Sequence, residues 1–463
     1  MESPKFPMPA ARTLRTLLVG GVLAASLAPA VASGTPLGAP SPALAADSLT
    51  RQERALLASV DARNAEALAL LERTVNMNSG TLNLAGVRAV GDVFRAEFDK
   101  LGFKTRWVDG SPFKRAGHLV AEHPGKGPKF LLIGHLDTVF EPDHPFQRFE
   151  RVDSTHAKGP GIIDMKGGDV IIVHTLKALA DAGVLRDMNV TVVMTGDEER
   201  SGDPLSAARA ALVEAAAGAD YAIGFEDGDG EPGHAVVSRR GSSQWELVVK
   251  GVPAHSSQIF QPEVGAGAIY EAARILTEFQ RRLSPEPNLT FNPGLILGGT
   301  AVQYDAANGK GTAAGKDNVV AEHAVASGDI RALTPEQYAK AKSVMQEVAA
   351  ASLPRTSATL TFDDGYPPLA PSDANRALLA LYDEASRDMG TGAVTAVDPR
   401  RAGAADVSFV AGKAKAIMDG IGMRGKDGHT VGETADLSML PLQTKRMALL
   451  LHRLVRDAGR GAT

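Results

Sequence analysis

Leucines and alanines recur at helical spacing in "RALLASVDARNAEALALLERTV", predicting a helix within 48–76, and "LAGVRAVGDVFRAEFDKLGF" predicts a second amphipathic helix stopped by Gly102. The pattern then shortens. "FKTRWV", "HLVAEH" and "KFLLIGHL" read as strands separated by Gly, Pro and Asp turns, and "DVIIVHTLKALADAG" reads as a helix leading into the strand "NVTVVMTGDEE". A helix over 205–217 and the strand "YAIGFED" continue the alternation. Strand and helix alternating in this way predict an α/β layer around a largely parallel sheet.

After about Arg239 the periodicity changes. "SSQWELVVKG" alternates like a half-exposed strand, and the helix "GAGAIYEAARILTEFQRRL" and the strand "GLILGG" follow. A strand in "NVVAEHAVASGDIRAL", a helix opening at "TPEQ" and the strand "ATLTFDDG" complete an open-faced α+β unit. From about Tyr366 the earlier style resumes. The expected architecture is therefore a discontinuous α/β catalytic domain, 46–239 and 365–463, with a mixed, largely parallel sheet flanked by helices. Residues 240–364 form an inserted α+β lid, with hinges near Arg240 and Asp364.

Residues 1–45 read differently, because Arg12 and Arg15 precede "TLLVGGVLAASLAPAVA", short for a membrane span and rich in small residues. This reads as a secretory signal peptide with a Pro/Ala/Ser leader, predicting a secreted or periplasmic protein. Cleavage fits after Ala32 or Ala45, and the later site is preferred. An uncleaved anchor fits less well, since a span needs roughly 20 apolar residues.

Hydrophobic residues make up 44% and charged residues 22% of the 463, ordinary globular values that argue against both disorder and a polytopic membrane protein. A net charge of -5 offers no general attraction for phosphate backbones, so nucleic acid is not an expected partner. There is no cysteine, which removes disulfides and thiolate metal sites together. Any metal must be held by His, Asp and Glu.

In a parallel sheet the site lies beyond the carboxyl ends of the strands. Here the first of these strands ends on His135 and Asp137, the second on Glu198 and Glu199, and the third on Glu226. "GPGIIDMKGG" places Asp164 in a Gly-rich turn before a helix, and "GKDGHTVGE" exposes His429 in a loop. Two histidines and five carboxylates cannot converge without cations, because burying several negative charges together is very costly. Two divalent ions sharing a bridging carboxylate would satisfy them. His135 and Asp137, two apart on a strand, face one side, so Asp137 can accept the second ring N–H of a metal-bound His135. Glu198 and Glu199 point apart, so one can bind metal while the other takes a proton from water.

The motifs "GHLDTV", "GPGIIDMKGG", "TGDEE", "GFED" and "GHTVGE" occur in this order. In that set the chain resembles the di-zinc exopeptidase and aminoacylase family that includes glutamate carboxypeptidase, acetylornithine deacetylase and succinyl-diaminopimelate desuccinylase. The resemblance spans nearly the whole chain after the leader. It implies two zinc ions, with cobalt or manganese as alternatives, bridged by Asp164. His135 and Glu226 would complete one site, with Asp227 as a substitute for Glu226, and Glu199 and His429 the other. Glu198 would be the general base and Asp137 its orienting neighbour. The inserted unit resembles the family's lid, through which a homodimer is expected. In "GVPAHSS" His255 would reach a partner subunit's site and polarise the scissile carbonyl. Asn318 in "DNVV" and Arg331 in "GDIR" would line the substrate pocket, Arg331 forking onto a carboxylate. Gly403 and Asp406 in "RRAGAADVSF" match a substrate loop, though this segment departs from the commoner glycine-rich form.

The expected activity is carboxypeptidase-like hydrolysis of an amide bond in a small peptide or N-acyl amino acid with a free carboxylate. An N-acyl amino acid deacylase or an aminopeptidase is the alternative, and an inactive zinc- or peptide-binding protein is the alternative outside enzymes. The base Glu198 weighs against a pure binder. No G-x-S-x-G supports a serine hydrolase. Gly228, Gly230 and Gly233 spell G-x-G-x-x-G, but Pro232, Asp229 and Glu231 make it a turn rather than a dinucleotide site. "DGDGE" lacks the rest of a calcium loop. His118, His123, His144, His156, His174, His234 and His323 lie in no matching motif and are expected to be structural or exposed.

Overall fold

A computed structural model describes residues 48–461. The proposed leader and its cleavage sites lie outside these residues. Thr50 opens the first helix, α1 (Arg51–Ala62), with a capping box: its hydroxyl accepts the Glu53 amide at 3.2 Å while the Glu53 carboxylate accepts the Thr50 amide at 2.7 Å. The expected single helix is two, because Arg63 breaks it before α2 (Asn64–Val75). Asn83 caps α3 (Leu84–Lys100), and Gly102 follows its end at φ +81°.

The strands β1 (Lys104–Asp109), β2 (Gly117–His123) and β3 (Lys129–His135) come next, then the short β4 (Glu150–Arg151) and β5 (His156–Lys158). After α4 (Lys166–Asp181) come β6 (Asn189–Thr195), α5 (Leu205–Ala208), α6 (Ala210–Ala216), β7 (Tyr221–Gly224) and β8 (His234–Ala235). The expected helix over 205–217 is interrupted at Arg209, which turns its side chain into the core.

The inserted segment runs β9 (Ser242–Lys250), α7 (Gly267–Leu283), β10 (Thr290–Gly299), β11 (Ala301–Asp305), β12 (Lys310–Ala314), β13 (His323–Arg331), α8 (Pro335–Ala350) and β14 (Ser357–Tyr366). The chain closes with α9 (Asp373–Asp388), β15 (Thr395–Ala396), β16 (Ala416–Met418), β17 (Gly425–Lys426), β18 (Thr434–Asp436) and α10 (Met439–Gly461).

The main sheet has the order β1-β2-β6-β3-β7-β16. β3 lies between β6 and β7, parallel to both, and β16 adds a third parallel pair, while β1 and β2 extend one side antiparallel. The sheet is thus mixed and largely parallel. β3 and β6 are buried along nearly their whole lengths, which is why they read as unbroken apolar runs. α4 packs against β3 on one side and α1, α2 and α10 on others, and is buried around most of its circumference.

A second sheet, β10-β13-β9-β14, is wholly antiparallel. Trp245, Leu247 and Val249 alternate with more exposed neighbours along β9 and meet α7 and α8 in a separate apolar cluster with Ile275, Phe279 and Met345. The sequence pattern does not mark the β11–β12 hairpin; Tyr304 from it bonds Ser327 at 2.9 Å. A small sheet, β17-β18-β5-β4, leaves no periodicity in the sequence either, because its strands are two or three residues long. It matters to the site: β5 leads into the Asp164 turn, and the β17–β18 loop carries His429. Among the described residues no helix is long and apolar enough to cross a membrane.

Candidate active site

Parallel register sets the first contacts. β3 ends on His135, paired with Thr195 at the end of β6, and β7 stops two residues before Glu226. The strand ends therefore deliver an imidazole and the acids to one edge. Asp164 stands between the two histidines: His135 Nε2 is 3.0 Å from its Oδ1 and His429 Nε2 is 2.9 Å from its Oδ2. Glu226 Oε1 lies 3.5 Å from His135 Nε2, and Glu199 Oε2 lies 3.2 Å from His429 Nε2. The carboxylate of Asp164 thus faces two groups, each with one histidine and one glutamate. His135, Asp164 and Glu199 have donor atoms within 4.8 Å of one another.

The electrostatics suit a cation. Burial pushes Glu226 and Glu198 well above the carboxylate range, with the charge of Asp164 adding to the first and Asp406 and Glu199 to the second. Burial, then Asp164, lifts Glu199 to about 7. Burial also works against the Asp164 carboxylate, but the hydrogen bonds from His135 and His429 outweigh it and hold it low. Burial alone depresses His135, and the charge of Glu226, then contacts with Asp137 and Asp164, raise it well above normal. The side chain of Glu199 is 5% exposed and its Oε1 has no hydrogen-bond partner. An orphaned buried carboxylate oxygen beside two imidazoles and further acids is a donor set that fits divalent metal.

Asp137 holds more than was expected of it. His135 Nδ1 is nearer to the main-chain carbonyl of Asp137, 3.0 Å, than to its carboxylate, 3.5 Å. The carboxylate accepts the Thr81 hydroxyl at 2.7 Å and the amides of Glu198 and Glu199 at 3.0 and 3.2 Å. It therefore orients the acidic loop as well as the imidazole. No local pattern in the sequence marks Thr81. Glu433 closes the "GHTVGE" motif, and this buried carboxylate accepts the amides of Gly161, Ile163 and Asp164 at 3.1, 2.9 and 3.3 Å. Glu433 fixes the turn that presents Asp164.

The remaining candidates lie elsewhere. His255 is exposed and bonds Ser257, while the main chain of Asn318 accepts the Ser256 amide at 2.9 Å, so these two loops are joined. Arg331 pairs with Asp329 at 2.9 Å. Among the described residues, none of these three has a hydrogen bond or ion pair to the cluster. The Gly403 carbonyl accepts Arg239 at 2.7 Å, and Arg239 pairs with Asp419, whose carboxylate takes the Glu226 amide at 3.3 Å. Asp406 is committed to Thr195 and Arg209 at 2.7 and 2.8 Å. Asp227, the proposed substitute, is pushed to about 7 by burial and then Asp164. His118 is buried and accepts the Gly196 amide at 3.2 Å, a structural role.

A mixed, largely parallel sheet whose strand ends, with two neighbouring loops, gather two histidines and several buried carboxylates defines a hydrolase with a built-in cation site. The chain belongs to the peptidase family M20/M25/M40, whose model matches residues 131–453. It is 26% identical over 446 residues to carboxypeptidase G2 of Pseudomonas sp. (strain RS-16), covering 95% of this chain and 98% of that protein. Its fold is similar to that of aminopeptidase PepT from Bacillus cereus, with a TM-score of 0.67, 18% identity, and 84% and 98% of the two chains covered. It is also similar to that of a dinuclear metal-binding peptidase of the M20 family from Bacillus subtilis, with a TM-score of 0.59, 16% identity, and 86% and 99% covered.

Proposed function

We propose that the protein is a carboxypeptidase-like, di-zinc amide hydrolase acting on a small peptide or N-acyl amino acid with a free carboxylate. The observation that carries this reading is the placement of Asp164, one oxygen toward His135 and Glu226 and the other toward His429 and Glu199. These five residues would hold two zinc ions, with cobalt or manganese as alternatives. Bound there, such ions polarise a carbonyl and acidify water. Glu198 accepts the proton of the attacking water and returns it to the leaving amine. Asp137 keeps Glu198 in place through its amide. Similarity to carboxypeptidase G2 along nearly the whole chain favours a substrate with a free carboxylate.

In this reading residues 240–364 act as a lid with hinges near Arg240 and Asp364, bringing Arg331 onto the substrate carboxylate, with Asn318 and Gly403 lining the pocket. His255 serves a partner subunit's site and polarises the scissile carbonyl. Support for a homodimer comes from two exposed apolar side chains at the outermost strand β10, Ile296 on the strand and Ile269 against its Gly298, at 53 and 48% exposure. Export to the periplasm or medium rests on the apolar N-terminal run alone.

The test is a panel of Ala-X dipeptides and N-acetyl amino acids, assayed before and after chelation and zinc add-back. Turnover that requires zinc and a free carboxylate is expected, and Glu198→Ala should lower kcat by about a hundredfold or more with zinc still bound. Dependence on a free amine would instead mark an aminopeptidase, and faster cleavage of N-acyl substrates a deacylase. Full zinc occupancy without turnover would mark a binding protein.

A further inference from the structure

We propose that Tyr366 is a positioning residue for Glu198, acting through the main-chain carbonyl of Glu198, with Arg209 holding the tyrosine hydroxyl; this rests on Glu198 being the base. Tyr366 is the last residue of β14 and pairs with Ser242 at the start of β9, where the second sheet meets the catalytic part of the chain. Its hydroxyl donates to the Glu198 carbonyl at 2.9 Å. Arg209 Nη2 donates to the same hydroxyl at 2.8 Å. Because guanidinium can only donate, the tyrosine proton is left for the carbonyl.

Arg209 is itself immobilised. It is 1% exposed and bonds Asp406 at 2.8 Å and Asp197 at 2.6 Å. Asp197 immediately precedes Glu198, so one guanidinium braces Glu198 by two routes, through the adjoining Asp197 and through the Tyr366 hydroxyl. On the other face the Glu198 amide donates to Asp137. Glu198 follows β6 without belonging to a strand, and side chains from β14 and from the end of β3 satisfy both of its main-chain groups. Rotation of that peptide would swing the carboxylate, and a displacement of about 1 Å in catalytic geometry costs on the order of a hundredfold in rate.

Tyr366→Phe isolates the hydroxyl. The ring keeps its edge contact with Phe409 at 4.9 Å and the Arg209 guanidinium 5.6 Å from its centroid. Arg209 Nη2 keeps the Asp197 carbonyl and the Ser201 hydroxyl, each at 3.1 Å, so the guanidinium is not stranded, and besides the Glu198 carbonyl only the half-buried Ser201 hydroxyl, 3.3 Å from the tyrosine oxygen, loses a contact. The control is Tyr382→Phe, which removes the hydroxyl of a 1%-exposed tyrosine that bonds Gln443 at 3.0 Å and makes no hydrogen bond to residues 197–201.

The experiment measures kcat, KM and bound zinc for the full-length zinc-loaded protein and both variants, on whichever Ala-X dipeptide or N-acetyl amino acid is turned over fastest. Tyr366→Phe should lower kcat about ten- to a hundredfold with KM and zinc content unchanged, while Tyr382→Phe keeps wild-type kcat. Unchanged kcat in Tyr366→Phe overturns the role, as does an equal loss in Tyr382→Phe. A Glu198→Ala protein with full activity overturns the assignment of the base and this role together. Wild-type protein that cleaves nothing overturns the proposed function as well, so the failures are separable.

Discussion

His429 is the most exposed of the clustered residues, and its surroundings make it a base of unusual strength. Hydrogen bonds to Asp164 and then Glu199 raise it to about 11. A histidine raised in this way stabilises the metal-free fold fully below its unfolded value of about 6.5, and the contribution is lost as pH climbs through 11. In chelator, the melting temperatures of wild type and His429→Gln should therefore differ most below about pH 6.5 and converge toward about pH 11. With 53% of the side chain exposed, solvent screening keeps the gap small. Metal binding needs the neutral ring, so zinc uptake should release protons, measurable by calorimetry in buffers of different ionisation enthalpy. Glu433 tests the support of Asp164. Glu433→Ala leaves three main-chain amides without their acceptor, each loss costing about 1–3 kcal/mol if the amide stays dry. Thermal melts should show a clear loss of stability, and zinc titration a weakened site.

At the scale of elements, the glycines of "KGG" explain how a helix can begin beneath the site. A Cβ on Gly168 would stand 2.0 Å from the Phe225 carbonyl, so α4 and the segment after β7 approach closer than any side chain allows. Gly168→Ala must push Phe225 and hence Glu226 outward. The expected result is a folded protein, judged by circular dichroism, with zinc affinity reduced about tenfold or more. The apolar runs of β3 and β6 and the "VIIV" of α4 are legible in the sequence because parallel strands and a central helix are buried on nearly all sides. The breaks at Arg63 and Arg209 were not legible. Neither is marked by proline or glycine, and Arg209 leaves the helix pattern to satisfy Asp197 and Asp406, residues 12 and 197 positions away.

At the scale of the whole molecule, Tyr366 at the end of β14 ties the second sheet to the loop after β6 through the Glu198 carbonyl. Within the catalytic part, Arg239 joins the Gly403 carbonyl to Asp419 and so to the Glu226 amide. The association of two copies is tested on the apolar strip beside β10. Ile269→Glu should shift a dimeric species to monomer in light scattering while leaving the fold intact, since its side chain is 48% exposed. If His255 serves the partner's site, that monomer should also lose kcat.

The sequence by itself determined which residues could meet: a strand ending on His135, acids at the next two strand ends, and Asp164 in a glycine turn, because periodicity and local turn chemistry act over a few neighbours. It also carried the family's ordered motifs, and with them the expectation of a metal site. Only the tertiary structure decided how those residues are held. Asp137 binds the amides of Glu198 and Glu199, Glu433 grips the Asp164 turn from 269 positions away, and Tyr366 reaches Glu198 from another sheet. Such contacts pair common residue types across long separations, and no local pattern marks them. Their geometry follows from strand register and packing, which exist only once the whole chain has folded.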